Sequence, residues 1–516
     1  MRNVRKIKAK RSLKIQGQKG ITLLVLVVTI IVLLILAGIT IGALTGENGI
    51  IKNARESKEQ TEIANEKEIL EKATVEAMGK NKYGNIEESE LQSALNKETG
   101  DGKTEAVDTG EEFEVLFKES NRYYIVDKDG NVGEAQDFKE DKSPGDITIG
   151  LNGEDLPEGE YQIGSIEDLV VLSNLSRGKG NCIENGEIKD AVMNIFSGST
   201  IKLMKDLNFN SRMSYADLSM TWSYDETNEA YIIDENSTQN LRDLLMDKNG
   251  DGFIPIGAYT SSSYLMFAGI FDGQNYKIQN LYENREEGGG LFNSSFTATI
   301  KNIRLTNIDI TSNKDAGGIT RVGSGIRVYN CSVSGNIKGN GAMAGIQCIG
   351  YGNIEIINCC NLANIYNNGS GSNVGGVIGY DDINGNTNIV NCYNLGELNF
   401  TGTYGNVNGI IGGAYNTGDR KIINSCSMGK IVTNEKVNGQ NFYYAWGGAT
   451  VELENCYYLD TIISGNVIAN ESSIAFSKND NGIIENLNKY VEAHKNSYAV
   501  ELYRWKLGED GYPIFE

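Results

Sequence analysis

Six asparagines recur through the second half of this 516-residue chain at intervals of 28, 28, 33, 33 and 31 residues. The residue after each is isoleucine, cysteine or serine, and an isoleucine or leucine follows seven residues after all but the first, where Asp309 stands. A period of this size predicts a solenoid, in which each repeat buries its apolar face against its neighbours. The six residues are Asn302, Asn330, Asn358, Asn391, Asn424 and Asn455.

The repeats are too rich in β-branched residues, glycine and asparagine to form helical hairpins. We therefore predict a mainly β chain whose C-terminal domain is a parallel β-helix, also called a β-solenoid. Stacked coils lie about 4.8 Å apart, which would align equivalent residues into columns. Asparagine amides in one column can hydrogen-bond from coil to coil and so satisfy buried polar groups. The adjoining column would contain Cys331, Cys359, Cys392 and Cys456, with Ser425 between the last two.

The start of the repeats resembles the GLUG-motif family of bacterial surface proteins. The residues that carry the resemblance are Phe267, Gly269, Phe271 and Gly273, followed by GGLF, GGI and GGVIG segments over residues 250–460. The resemblance implies a cell-surface, adhesin-like role. Some secreted peptidases also contain these repeats, but their catalysis comes from a separate zinc domain. The single histidine of this chain, His494, cannot supply such a site.

Eight cysteines allow two interpretations. Neighbouring coils could bring two sulfurs within disulfide range, since Cα separations of 4.4–6.8 Å permit the bond. Buried thiols that pack as small apolar groups are the interpretation we favour. There is no CxxC motif, which argues against a zinc or iron–sulfur site.

Residues 21–44 are 24 uncharged, mostly apolar positions that follow eight basic residues within positions 1–20. A helix of that length spans about 36 Å, enough to cross a bilayer. The basic flank should remain in the cytoplasm, so the remainder of the chain is predicted to be extracellular. The sequence thus predicts a single-pass protein of the cell membrane. Its net charge of −21 argues against nucleic acid as a partner.

The junction at Lys19, Gly20 and Ile21 resembles the cleavage and methylation site of type IV prepilins. The resemblance implies that a prepilin peptidase cuts after Gly20 and that Ile21 becomes N-methylated. It also implies other pilins as partners and a location in a pilus. Val25 stands where typical pilins have a glutamate, which is a departure that bears on filament assembly. A simple signal anchor without a pilus role is the alternative.

A sparse apolar stripe after residue 49 predicts an amphipathic helix. EEFEVLFKES and RYYIV then predict two strands that meet at Ser120 and Asn121. Ser165 is predicted to cap a short helix over the first coil, and 200–209 to form a first strand. The predicted organisation is a basic leader (1–20), a transmembrane helix (21–45), an amphipathic helix with a small pilin-like α+β module (46–135), a linker (136–147), a segment that leads into the solenoid and caps it (148–260), GLUG-type repeats (261–470) and a C-terminal cap (471–516).

Calcium is the only cofactor for which the sequence offers ligands. Asp247, Asn249 and Asp251 match the first positions of an EF-hand loop, but Ala258 stands where the bidentate glutamate belongs. The two alternatives are a weak calcium site completed by other oxygens and an acidic, glycine-containing turn.

Two further residue types bear on function. Asp381 and Asp382 could act as acid and base in a polysaccharide-cleaving β-helix enzyme, but carboxylates in an acidic chain are usually solvated.

Tyrosines cluster in the later repeats and could bind an extracellular glycan or protein, or pack between coils. We therefore expect a non-catalytic surface protein that is a minor pilus subunit or adhesin. The tyrosines are Tyr380, Tyr393, Tyr404, Tyr415, Tyr443, Tyr444, Tyr457 and Tyr458.

Overall fold

A computed structural model describes residues 50–80, 85–137, 159–184, 187–260, 263–286, 288–382, 385–434, 437, 439–462 and 466–516. The predicted leader, its cleavage site at Gly20 and Ile21, and the predicted membrane helix lie outside these residues. No helix within the described ranges is both long enough and apolar enough to cross a bilayer. The described residues divide into two compact units, one made of those from 50 to 106 and from 115 to 137, the other of those from 107 to 114 and from 159 to 516.

The first unit is built on helix α1 (Ile50–Lys80) and the shorter helix α2 (Glu88–Thr99). Arg122 makes an ion pair with Glu66, whose carboxylate also accepts a hydrogen bond from the hydroxyl of Tyr124. The two predicted strands are present, and the turn between them has Asn121 in the left-handed region at φ 57°. A four-stranded sheet follows chain order, with strands Thr104–Asp108, Glu112–Phe117, Arg122–Asp127 and Gln136–Asp137. The last of these strands lies within the predicted linker.

Four parallel sheets, which we name A to D, form the solenoid of the second unit. In each coil the chain passes from sheet C to A, then to B and D, before it returns to C. Sheet A has nine strands in chain order, namely Glu160–Ile163, Thr200–Leu203, Ile270–Asp272, Thr299–Lys301, Arg327–Tyr329, Ile354–Ile357, Thr387–Val390, Asp419–Ile423 and Thr450–Glu454.

Sheet B is interrupted within most coils, so that two short strands often come from one coil. Its thirteen strands are Leu207–Asn208, Lys277–Gln279, Tyr282–Arg285, Arg304–Ser312, Ser332–Gly339, Cys360–Asn361, Asn364–Asn367, Tyr393–Asn394, Leu398–Phe400, Cys426–Ser427, Ile431–Val432, Tyr457–Leu459 and Ile474–Phe476.

Sheets C and D have six strands each and begin later in the chain than sheets A and B. Sheet C consists of Phe292–Phe296, Thr320–Ser324, Gln347–Tyr351, Ile378–Asp382, Ile411–Tyr415 and Tyr443–Ala445. Sheet D consists of Ala316–Gly317, Met343–Ala344, Ser372–Gly375, Gly405–Asn408, Gly439–Gln440 and Val467–Ile468.

Helix α3 (Ile166–Arg177) is buried along its whole length and belongs to the same apolar core as the coils. The predicted cap is present, since the Ser165 hydroxyl accepts a hydrogen bond from the N–H of Asp168 at 3.1 Å. Short elements complete this end: helix α4 (Leu241–Met246), a 3₁₀ turn (Arg212–Ser214), and small antiparallel sheets made of Asn181–Glu184 with Glu187–Asp190, Thr221–Asp225 with Ala230–Ile233 and Gln239–Asn240, and Ala258–Thr260 with Ser263–Leu265.

The asparagine repeat forms the corner between sheets A and B. All six residues have left-handed backbone, with φ between 47° and 57°. Each side-chain amide from Asn330 to Asn455 donates to the side-chain carbonyl of the asparagine in the preceding coil, over 2.5–2.9 Å. Asn302 donates in turn to Asp272 at 2.8 Å. One residue type therefore supplies both the turn conformation and the bond between coils.

A bulge explains why the first repeat has Asp309 where later repeats have an aliphatic residue. The strand Arg304–Ser312 contains an extra residue near Asn307, which has φ 53°. Beyond the bulge Ile310, not Asp309, is paired with Ile337 and is fully buried. The inward aliphatic column is thus continuous although the count of seven residues fails.

Glycine is required where sheet D turns into sheet C. A Cβ atom at Gly318 would lie 2.3 Å from the carbonyl oxygen of Gly345 in the next coil, and one at Gly376 would lie 2.3 Å from that of Gly409. The aliphatic residue after each glycine points into the core. These close approaches account for the Gly-aliphatic pairs in the repeat.

The segment predicted as a C-terminal cap (471–516) covers the side of the coils as well as extending the last one. Ile474–Phe476 extends sheet B, but helix α5 (Asn481–Ala493) and the hairpin of Trp505–Leu507 with Pro513–Phe515 pack along the side of the coils. They cover a row of apolar residues that flank the asparagines and would otherwise face water. This row comprises Tyr329, Ile357, Cys360, Val390, Tyr393, Ile423, Cys426 and Tyr457.

The same C-terminal segment hydrogen-bonds to the middle of the asparagine column. The Trp505 indole N–H donates to Asn391 at 2.6 Å, and the amide of Asn391 donates to the carbonyl of Tyr503 at 3.0 Å. The amide of Asn358 donates to the carbonyl of Glu501 at 2.8 Å. Asn358, Asn391 and Asn424 are consequently buried, whereas the asparagines nearer the ends are half-buried.

Replacement of Asn391 should therefore be costly. We expect Asn391→Ala to lower the free energy of unfolding by about 2–4 kcal/mol, since it strands buried partners and places alanine in left-handed backbone. Asn391→Gly restores the backbone freedom but not the amide, so it isolates the ladder bonds. Urea denaturation followed by tryptophan fluorescence gives both values. Asn399→Ala, at a half-buried position outside the column, is the control, and an equal loss there would contradict the role of the ladder.

Candidate ligand-binding face

The acidic loop that resembles an EF-hand uses its side chains within the protein. The Asp247 carboxylate accepts hydrogen bonds from the backbone N–H and the side-chain amide of Asn249. The Asp251 carboxylate accepts one from the Tyr224 hydroxyl at 3.0 Å and lies 3.6 Å from a guanidinium nitrogen of Arg285. Within the described residues there is no group of three or more His, Cys, Asp or Glu placed to hold a metal. Calcium binding at this loop remains a prediction.

All eight cysteines are buried thiols, and none of them is joined in a disulfide. In the predicted column each thiol points into the core and donates to the backbone carbonyl two residues earlier, as Cys331 does to Tyr329 at 3.1 Å and Cys392 to Val390 at 3.2 Å. The Ser425 hydroxyl makes the equivalent bond at 2.8 Å. Serine thus replaces cysteine in the column because the position requires a small donor. Burial raises the pKa of the Cys456 thiol to about 12.

The structure separates Asp381 from Asp382, the two carboxylates considered as an acid–base pair. Asp381 is fully buried inside the solenoid and lies 2.9 Å from the Nε atom of Arg420, which is also fully buried. Burial raises the pKa of Asp381 to about 6, against the opposing effect of Arg420. Asp382 is on the outer side of the same strand, where it accepts a hydrogen bond from Asn416. The buried ion pair is an element of the core, which leaves Asp382 alone at the surface.

The tyrosines of the later repeats lie in three kinds of surroundings. Tyr393 and Tyr457 are buried beneath the C-terminal segment, while Tyr443 and Tyr458 pack partly against the solenoid core. Tyr404 is 65% exposed in the turn that precedes sheet D. The others, Tyr380, Tyr415 and Tyr444, lie on the outer side of sheet C or directly beside it. Of these tyrosines, only Tyr380, Tyr415 and Tyr444 lie close enough together to bind one ligand as a set.

Sheet C carries two outward columns of side chains. Strand pairing aligns Phe296 with Ser324 and Tyr351 in one column, which Asp382 and Tyr415 extend as a pair. The adjacent column contains Val322, Ile349 and Tyr380. We use the name aromatic face for the set of Phe296, Tyr351, Tyr380, Tyr415, Tyr444 and Trp446.

Trp446 is the centre of the aromatic face. Its ring centroid lies 5.9 Å from that of Tyr380, at an interplanar angle of 25°, and 5.6 Å from those of Tyr415 and Tyr444. The indole can reach Tyr380, two coils away, because it crosses Gly413, where a Cβ atom would lie 2.7 Å from the ring. Tyr444 is 40% exposed, and Tyr380, Tyr415 and Trp446 are half-buried. The cluster therefore fixes the rings and leaves part of their surface in water.

A cavity adjoins the other end of the aromatic face. It has a volume of about 490 Å³, and its lining residues are apolar apart from Ser324 and Tyr351. Phe296 at its rim is 50% exposed. The lining residues are Ile195, Met266, Ala268, Phe296, Val322, Ser324 and Tyr351, none of which carries a charge. A cavity of this size and lining is typical of binding sites for small or extended organic ligands.

Electrostatics on this face favour an uncharged ligand. Arg321 is the only lysine or arginine in the strands of sheet C. It is buried, it hydrogen-bonds to Asn293, and it lies 3.5 Å from the Asp315 carboxylate. The Asp382 carboxylate lies near Tyr380, and burial with help from Asp382 raises the pKa of Tyr380 to about 12. Tyr380 is accordingly a neutral phenol that can donate and accept hydrogen bonds at physiological pH.

Sequence reasoning missed Phe296 and Tyr351 because it aligned the repeats on asparagine. It also missed Trp446, whose coil has Asn441 and Phe442 in place of a Gly-aliphatic pair. Loops of different length separate sheet C from the asparagine corner, so equivalent residues fall at different distances from it. The Gly-aliphatic pair gives the correct register. Five residues after each aliphatic residue of these pairs the sequence has Phe296, Ser324, Tyr351, Asp382 and Tyr415.

The buried thiols give a prediction about reactivity. In the native full-length chain we expect iodoacetamide at pH 8 to label none of the eight cysteines, because their burial keeps the reagent from reaching the thiols. After unfolding in urea all eight should be labelled. Mass spectrometry of the intact chain counts the labels in each state. Fewer than eight in urea would reveal a disulfide and contradict the free-thiol column.

The Asp381–Arg420 pair gives a prediction about stability. We expect Asp381→Asn to lower the free energy of unfolding by about 3–5 kcal/mol, because the Arg420 charge is left buried without a counter-charge. Urea denaturation measures the change. The control, Asp382→Asn, changes the neighbouring carboxylate at a half-buried position and should cost less than about 1 kcal/mol. Similar values for the two variants would overturn the assignment of the buried pair.

Comparisons with known proteins are sparse. No family model matches the chain. Halomucin of Haloquadratum walsbyi (strain DSM 16790 / HBSQ001) is 30% identical over 203 residues, which make up 39% of this chain and 2% of Halomucin. The crystal structure of a candidate immunoglobulin A1 protease from Bacteroides ovatus superposes with a TM-score of 0.44 and 19% identity, over 69% of this chain and 92% of that chain. The chain is thus similar to a very small part of Halomucin, and the β-solenoid assignment follows from its own strand pairing.

Proposed function

We propose that this chain is a non-catalytic bacterial surface protein that binds an extracellular ligand through the aromatic face of its solenoid. The observation that carries the proposal is the cluster of Trp446 with Tyr380, Tyr415 and Tyr444, whose rings are held in place yet partly exposed. Aromatic side chains on a rigid sheet lose little conformational entropy on binding, which favours their use in recognition. The other ring contacts between two partly exposed side chains of the described chain are smaller, and join Tyr490 to His494 and Tyr503 to Phe515.

In this proposal the segment 21–44 anchors the chain in the membrane, with residues 1–20 in the cytoplasm and the solenoid at the cell surface. In its finer form the chain is a pilin-like subunit, cut after Gly20 by a prepilin peptidase and methylated at Ile21. Helix α1 supports this form, because it would continue the membrane helix as the stalk of a pilin does. Val25, in place of the usual glutamate, favours a minor subunit over a major one.

A second form of the proposal keeps the anchor and omits the pilus. In this form residues 1–20 remain attached and the solenoid is displayed by a signal anchor. A polysaccharide-cleaving enzyme is a weaker alternative, because Asp381 is enclosed with Arg420 and cannot act together with Asp382.

Mass spectrometry of the mature N-terminus distinguishes the two forms. From cells that contain a prepilin peptidase we expect a chain that begins with N-methylated Ile21. Gly20→Glu should block the cut and leave the leader attached, while Gly17→Glu, within the leader, serves as the control and should be processed normally. An intact Met1, or a cut after Ala43, would rule out the pilin-like form.

A further inference from the structure

We propose that the aromatic face binds an extended, uncharged glycan whose chain runs parallel to the solenoid axis. The inference rests on the proposed binding function and names the ligand class for the same site. Four observations carry it: the axial spacing of the rings, their stacking, the absence of any exposed lysine or arginine from the strands of sheet C, and the paired state of those strands.

The spacing of the coils suits a chain of pyranose units. Sheet C presents six strands to solvent, from Phe292–Phe296 to Tyr443–Ala445. At about 4.8 Å per coil the face extends over about 24 Å. An extended pyranose chain advances by a similar distance for each sugar, so that successive sugars can meet successive coils. A chain laid along the direction of the strands would contact only the rings of one or two coils.

The rings offer the surfaces that sugars require. The faces of Trp446 and its neighbouring tyrosines can pack against the C–H surface of a pyranose. The phenol groups of Tyr351, Tyr380 and Tyr415 and the Asp382 carboxylate surround these faces with hydrogen-bonding groups for the sugar hydroxyls. Because the indole packs over Gly413 and contacts three tyrosine rings, Trp446 is already oriented before a ligand arrives. Such preorganisation reduces the entropy lost on binding.

Charge selects against acidic glycans. The one guanidinium in the strands of sheet C, that of Arg321, is buried and lies 3.5 Å from the Asp315 carboxylate. Asp382 contributes a negative charge to the face, and the whole chain has a net charge of −21. A uronic acid or sulfate group would therefore meet repulsion without a compensating cation. The cavity beside Phe296 and Tyr351 is lined without charge and can accept one end of a neutral chain.

The sheet itself disfavours a peptide as the ligand. A peptide that adds to a sheet needs an unpaired strand edge. The strands from Thr320–Ser324 to Ile411–Tyr415 are paired with a neighbour on both sides, so their backbone groups are already bonded. Recognition on this face must use side chains, and these are mostly rings and hydroxyls.

The test is affinity electrophoresis of the full-length chain in a polyoxyethylene detergent, which contains no sugar that could compete. The gels contain glucomannan or xyloglucan as uncharged glycans, and polygalacturonate or hyaluronate as acidic ones. We expect an uncharged glycan to retard the chain and the acidic ones to have no effect. Isothermal titration with oligosaccharides of two to six sugars from the retarding polymer then measures the length dependence. An axial site predicts affinity that rises through the series, whereas a plateau at two sugars would overturn the axial orientation.

Variants connect the binding to the rings. We expect Trp446→Ala to weaken binding at least tenfold, and Trp446→Ala with Tyr380→Ala to abolish retardation. Tyr404→Ala is the matched control, since that ring is exposed but outside the aromatic face, and it should bind as the unmodified chain does. Thermal unfolding of each variant verifies that the fold is retained.

Each remaining outcome has a defined meaning. Retardation by acidic glycans alone, by no glycan, or equally for Trp446→Ala and Tyr404→Ala would overturn the glycan inference. The broader proposal fails separately. If the chain on intact cells binds a protein ligand and Trp446→Ala abolishes that binding, the face remains a binding site and only the ligand class is wrong. If the double variant keeps all ligand binding, the proposed function is wrong as well.

Discussion

The solenoid depends on a column of hydrogen-bonded asparagine side chains at one corner. An ordinary residue cannot adopt the left-handed turn at this corner without strain, whereas asparagine tolerates it. The amide also has a donor and an acceptor, so that each side chain can bond to the coils before and after it. Stacking of identical residues thus connects the coils from Asn302 to Asn455 through a continuous series of side-chain hydrogen bonds. The ladder ends on Asp272, which accepts from Asn302 and terminates the series with an acceptor.

The corner also organises what lies on either side of it. The residue after each asparagine points inward, where thiols or a hydroxyl can donate to a carbonyl of their own coil. The residues that flank the corner on the outside are apolar in several coils, and helix α5 and the final hairpin cover them. Trp505 joins this cover to the ladder through its bond to Asn391. The C-terminal segment therefore stabilises the side of the solenoid as well as extending its last coil.

Sheet C lies away from this corner, and its outer positions are free of the constraints that fix the interior. Most inward residues are aliphatic and most turns from sheet D contain glycine, whereas the outward columns face solvent. Several coils have aromatic residues at these outward positions, and the stacking of the coils places them next to one another. The combination of a fixed interior and a variable outer column gives a rigid surface with a composition that can suit a ligand.

The amino-acid sequence determined the repeat, the parallel β-helix, the asparagine column and the cap at Ser165, because each follows from a local conformational or hydrogen-bonding need. It also offered Asp381, Asp382 and a set of tyrosines as candidates, without showing which lie inside. Only the tertiary structure decided that Asp381 pairs with Arg420 in the core, that Ile310 takes the place expected for position 309, and that the C-terminal segment lies along the asparagine corner. Only stacking could gather Tyr380, Tyr415 and Trp446 into one cluster, since loops of unequal length hide their equivalence along the chain. Burial and contact between distant residues are properties of the packed coils, and a single repeat does not contain them.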